Sequence, residues 1–253
     1  MSTLNVNQIE ASTGSSILTP AGFNLSLAGN AMNASSIPPT PTSGNANNFL
    51  YSDGTNATYV STTGLSSMQV FTSSGTWNKP AGITKILVRI CGGGGGGSGH
   101  GETGAAGGYA EKIIDVSGIS SVSVTVGTGS TGGSYYSNGG GNGGTSSFGG
   151  YVSATGGNGA NTSHQHCGGL SGVGSGGDLN LYGGGGSGHY NHQGTPGTSF
   201  FGGGSTGGWP NGGEFTHNHS FRASVGGGGM SGHQSSYRGA NGRDGVVIVW
   251  EYK

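Results

Sequence analysis

The chain has 253 residues, 62 of them glycine, with 8 basic and 9 acidic side chains and a net charge of −1. That balance lacks the basic footprint of a nucleic-acid binder. No apolar run approaches the ~18 residues of a membrane span, and residues 1–10 lack the charged and apolar regions of a signal peptide.

In chain order, residues 1–34 hold two short alternating pieces, Leu4–Ile9 and Phe23–Leu27, separated by Ser/Thr/Gly turns. Neither buries enough surface to stand alone, so this zone is expected to be an attachment or oligomerisation segment. Residues 35–67 carry Ile37-Pro38-Pro39-Thr40-Pro41-Thr42, a stiff extended connector. Two short pieces follow, Phe49–Tyr51 and Ala57–Val60, around the turn Ser52-Asp53-Gly54-Thr55-Asn56.

Residues 68–253 form the third zone, and nearly all the glycine lies there. Thr84–Ile90 alternates, with Ile86, Val88 and Ile90 on one face. Ser121–Val126 does the same with Val122, Val124 and Val126. The β-branched run Val246–Tyr252 suits a strand covered on both faces. Between these strands glycine is too irregular, and 7 prolines are too few, for collagen. The chain is therefore expected to be all-β. A small sheet core would join glycine tracts packed by their backbones in a polyglycine-II-like manner, with bulky side chains expelled to rims and turns. Trp77 and Trp250 adjoin strand patterns and are expected in the core. Simple disorder is the competing reading, and the strands at both ends of the zone argue against it.

Several motifs in order carry a family resemblance. They are Val70–Lys85 followed by a strand and the run Gly92–Gly97, then Gly107–Lys112, Val122–Gly127 and Gly143–Gly149. Ala154–Gly157 and Gly242–Val249 complete the set. Together they resemble the glycine-rich domain of bacteriophage tail-fibre proteins over about residues 69–253. Ser2–Ile9 and Asn48–Gly54 also resemble fibre-type phage proteins, including those of cyanophages. The resemblance implies a virion component, commonly homotrimeric and folded in the host cytoplasm. Its N-terminus would be held by other virion tail proteins, and its C-terminal end would meet a host glycan or outer-membrane protein.

No Ser-His-Asp or Cys-His order stands out, and Glu102, Glu111, Asp115, Asp178 and Glu214 are scattered among glycines. The run Gly92–Gly97 is not a phosphate loop, because no Lys-Ser/Thr follows it. No enzyme is expected. The eight histidines all follow position 99. The i, i+2 pairs His164/His166 and His217/His219 would point the same way on a strand, and three copies would offer six nitrogens to a metal. The same residues also fit exposed turns with no cofactor.

Tyr135, Tyr136, Tyr182, His189, Tyr190, His192, Trp209, Phe215 and Phe221 lie between glycine tracts. They are candidate receptor contacts, because flat rings give large contact area at low entropy cost. Some equally fit gaps between strands or subunits. Cys91 and Cys167 are too few for a disulfide scaffold and are expected as buried free thiols. Two functions remain open: a receptor-binding fibre, and a purely structural fibre, connector or decoration protein. A third, an ice-binding or matrix protein, would need a regular Thr/Ala face that this chain lacks.

Overall fold

Alternation of apolar and polar residues decides the strands. In the computed structural model the described residues are 24–27, 30–33, 48–52, 57–61, 64–99, 101–133, 139–161, 168–188, 194–205, 223–232 and 238–253. They contain no helix. The chain divides into two units, Met1–Thr63 and Gly64–Lys253.

In the first unit, β1 (Asn24–Leu27) pairs antiparallel with β2 (Asn30–Asn33), and β3 (Asn48–Ser52) with β4 (Ala57–Ser61). The segment Leu4–Ile9 lies outside the described residues.

The second unit contains two five-stranded antiparallel sheets. One runs β13 (Leu179–Leu181), β8 (Tyr109–Asp115), β7 (Lys85–Cys91), β14 (Val246–Tyr252) and β5 (Leu65–Phe71). The other runs β12 (Gly174–Ser175), β11 (Val152–Ala154), β10 (Ser146–Phe148), β9 (Ser121–Thr125) and β6 (Gly75–Asn78). Ile86, Val88, Ile90, Ile114, Val247 and Val249 from the first sheet meet Trp77, Val122, Val124, Phe148 and Val152 from the second in one buried core. The expected faces of β7 and β9 are those observed.

Two expectations are corrected. In β14, Val247, Val249 and Glu251 are fully buried while Ile248, Trp250 and Tyr252 are half-buried, so one face is covered more fully than the other. Trp250 therefore stands on the outer face, where the Arg89 guanidinium lies 5.8 Å from its ring, and only Trp77 is in the core.

The core also holds a carboxylate. Glu251 Oε1 accepts from Trp77 Nε1 and Gln69 Nε2, each at 2.7 Å, and Oε2 accepts from Ser67 Oγ. The first of these bonds crosses from one sheet to the other. A buried carboxylate needs such donors, because its desolvation is otherwise prohibitive.

Strands β7, β8, β9, β11 and β14 continue directly into, or arise directly from, glycine-rich segments. In 92–98 the amide donors rotate through three partners. Gly92, Gly95 and Ser98 donate to Gly108, Ala105 and Glu102; Gly93 and Gly96 to Gly144 and Gly141; Gly94 and Gly97 to Arg243 and Ala240. Its carbonyls rotate likewise. Gly93 and Gly96 accept from Gly157 and Ala160, Gly94 and Gly97 from Ser130 and Gly133, Gly95 and Ser98 from Gly229 and Gly232.

Six segments thus surround 92–98. Each also bonds to the next around the ring, as in Gly144 to Thr128, Gly143 to Gly157, Ala105 to Asn158, Gly104 to Gly229, Arg243 to Gly227 and Gly242 to Ser130. Segment 101–108 is itself a second centre. Thr103 and Ala106 donate to Ser187 and Gly184, and Gly169, Gly172, Gly194 and Gly197 donate back to it.

The close approach explains the glycine. A Cβ on any of Gly92 to Gly97 would fall well under 3.0 Å from a neighbouring carbonyl oxygen, a distance real Cβ atoms essentially never show. The exclusion of side chains is not complete: Thr103, Ala105 and Ala106 are fully buried within the lattice.

Three substitutions follow. Gly94→Ala is expected to cost more than ~3 kcal/mol or prevent folding, whereas Gly118→Ala, which meets nothing within 4 Å, is expected to be neutral or to stabilise by up to ~1 kcal/mol. Glu251→Ala, which strands the Trp77 indole N–H in the core, is expected to cost about 2–4 kcal/mol. Urea unfolding followed by circular dichroism reads all three.

Candidate functional site

Segment direction determines what the lattice presents. Gly93 and Gly96 donate to Gly144 and Gly141, which run opposite, and accept from Gly157 and Ala160, which run the same way. Through the chain the segments 92–98, 101–108, 127–133, 139–145, 154–161, 168–174, 182–188 and 194–199 alternate in direction. One end of each segment leads to the sandwich. The other ends fall together at a rim, where Gly97 accepts from Gly133, Ser98 accepts from Gly232, Gly133 accepts from Gly239 and Gly101 accepts from Gly194.

This rim borders five sequence intervals, one of them the single position 100 between Gly99 and Gly101. Gly133 and Gly139, Asn161 and Gly168, Gly188 and Gly194, and Gly232 and Arg238 flank four of them on both sides. A further interval, 206–222, falls in the sequence between Ser205, whose N–H donates to Gly228 partway along the lattice, and Ala223 toward the sandwich, where Ser224 donates to Gly203.

The rim has polar chemistry of its own. Glu102 is buried, with Oε2 accepting from Ser98 Oγ at 2.7 Å and its backbone N–H donating to the same hydroxyl at 3.1 Å. A groove of about 470 Å³ is lined by Asn142, Asn158, Ala160, Asn161 and Leu170 among glycines. The Asn142 side chain braces it, Oδ1 accepting from the Gly159 N–H at 2.9 Å.

Of the residues expected to touch a receptor, Tyr182 is described, and it is 75% exposed. It bridges to Val173 at the sandwich end, away from the rim. Tyr135, Tyr136, His189, Tyr190, His192, Trp209, Phe215 and Phe221 lie outside the described residues, as do His164, His166, His217, His219 and Cys167. Among the described residues no group of three or more His, Cys, Asp or Glu side chains comes together. Phe200 is half exposed and stacks on buried Tyr109, with ring centroids 3.7 Å apart. That burial, with the hydrogen bond from Tyr109 to Glu111, pushes the phenol pKa up.

Sequence reasoning missed Glu251 and the rim position of Glu102. A signal for the first was present, because period two places Glu251 on the face of Val247 and Val249. Nothing in the sequence placed Glu102, since it depends on which tracts become neighbours.

A family described as a glycine-rich domain matches residues 66–252. The chain belongs to that family. The match spans both sheets and the whole lattice, so the glycine-rich domain comprises strands and tracts as one unit. No curated protein matches the sequence.

Cys91 ends β7 as a buried free thiol whose pKa burial pushes up to about 12. It is therefore expected to stay protonated at pH 8 and to resist iodoacetamide in the folded domain, reacting only on unfolding. Peptide mapping after labelling with and without denaturant checks this.

Proposed function

We propose that the chain is a non-enzymatic bacteriophage tail-fibre protein. In this reading it is held in the virion through its N-terminal residues and meets the host surface through the intervals that join the glycine tracts. The observation that carries the reading is the alternation of tract direction. It gathers the borders of 134–138, 162–167, 189–193 and 233–237 at one rim. Leu65 and Tyr252, near the two ends of the same unit, pair in a sheet at the opposite end. A scaffold that sets its two ends opposite the borders of several intervals suits a tip that varies its contacts without disturbing its core.

The composition of those intervals supports adhesion. Tyr135, Tyr136, His189, Tyr190 and His192 fall in them, and Trp209, Phe215 and Phe221 in 206–222. Rings flanked by Asn, Ser and His suit a cell-surface glycan or an outer-membrane protein. The tracts themselves are read as polyglycine-II-like, supported by the three-residue rotation of their hydrogen-bond partners. Self-association as a homotrimer and contact with other tail proteins are assigned to the N-terminal unit.

Adsorption of the full chain to host cells tests this reading. Replacing Tyr190, Trp209 and Phe215 together by Ala is expected to weaken adsorption at least ~10-fold with the urea midpoint unchanged. Adsorption equal to that of the unsubstituted chain would leave a structural fibre or connector instead.

A further inference from the structure

The sheet formed by β5, β7, β8, β13 and β14 has two faces, and the sandwich core uses one. On the other, strand pairing sets Met68, Trp250, Leu87 and Ile113 in a row across four strands. The next row is Val70, Ile248, Arg89, Glu111 and Leu179. Met68 and Val70 are each 50% exposed and Ile113 is 63% exposed. Nearer the tracts the same face is closed, with Phe200 stacked on Tyr109 and Gly226 against the Cys91 sulfur. The two rows stay open. Trp250 Nε1 is buried and has no hydrogen-bond partner among the described residues.

Edge strand β5 extends the opening. Its sequence, Leu65-Ser66-Ser67-Met68-Gln69-Val70-Phe71, has no charge and no proline, the devices that usually keep an edge from pairing.

We infer that this face is covered by the same face of a second copy of the chain. The charges are self-complementary. Arg89 and Lys85 stand on β7 directly beside Glu111 and Asp115 on β8, with Arg89 Nε 3.2 Å from Glu111 Oε2. A two-fold axis in the contact plane, parallel to the strands and between β7 and β8, sets each base over the other copy's acid. The same operation lays Ile113 over the other copy's Leu87. A partner of one charge sign gains nothing from this arrangement. Four apolar side chains on this one face, Met68, Val70, Ile113 and Leu179, are each at least 40% exposed, and a contiguous open apolar patch marks an interaction site. A net charge of −1 opposes the approach of two copies very little.

The inference concerns the sheet face, not the rim, and stands apart from the receptor reading; a two-fold contact cannot pair all three copies of one homotrimer, so in that assembly it joins domains of neighbouring trimers. Zero-length carbodiimide coupling of mixed ¹⁴N- and ¹⁵N-labelled full chains tests it. Expected are Lys85–Asp115 or Lys85–Glu111 products joining a heavy to a light chain. These should fall at least ~10-fold in Met68→Lys/Ile113→Lys, with the urea midpoint unchanged. Should the double variant fail to fold, Ile113→Lys alone serves, and the unsubstituted mixture decides by itself. Products confined to heavy–heavy and light–light chains, or mixed products undiminished by the substitutions, would overturn the inference; so would a sedimentation mass of one chain at all concentrations.

Discussion

Contact between one backbone and the next governs the glycine-rich unit. In the lattice centred on 92–98, the carbonyl of one segment occupies the space where a neighbour's Cβ would stand. Glycine is therefore required there by sterics, and the freedom it loses on folding has to be offset by hydrogen bonds. Because partners rotate every three residues, each segment bonds outward in several directions, and an interior segment leaves few polar groups unpaired. Such packing needs almost no apolar side chains, which accounts for a composition only 30% hydrophobic.

The sandwich supplies what the lattice lacks. Glycine segments carry no pattern to fix which of them are neighbours, so register has to come from elsewhere. Strands β7 and β14 pair over their whole lengths before passing into, or out of, the tracts at Cys91 and Gly245. Ser146 fastens the junction, its hydroxyl donating to the Cys91 carbonyl at 2.7 Å and accepting from the Gly127 N–H at 2.9 Å. Glu251 then locks the two sheets together from within. The side-chain core and the main-chain lattice are in this sense one cooperative structure.

Legibility in the sequence followed the same division. The inward faces of β7 and β9 could be read from alternation, because Ile86, Val88, Ile90, Val122 and Val124 each follow period two. The β14 run was read as covered on both sides because Val, Ile and Trp are all apolar, and the pattern gave way only at Glu251. Trp250 was misplaced for the same reason. Backbone packing of the glycine tracts followed from composition, yet their neighbours did not, since Gly94 and Gly95 look alike in sequence but bond to different segments. The shared rim emerged only once tract directions were known. Of the candidate contact residues, Tyr182 proved exposed but at the sandwich end, because Val173 pairs with it there.

Amide hydrogen exchange of the full chain, resolved at Gly92 to Gly97, tests the main-chain lattice most directly. The account predicts protection of these glycines comparable to that of Ile86, Val88 and Ile90 in β7, with both lost together as denaturant is raised. Exchange of Gly92 to Gly97 at the rate of an unstructured peptide, while β7 stays protected, would contradict it.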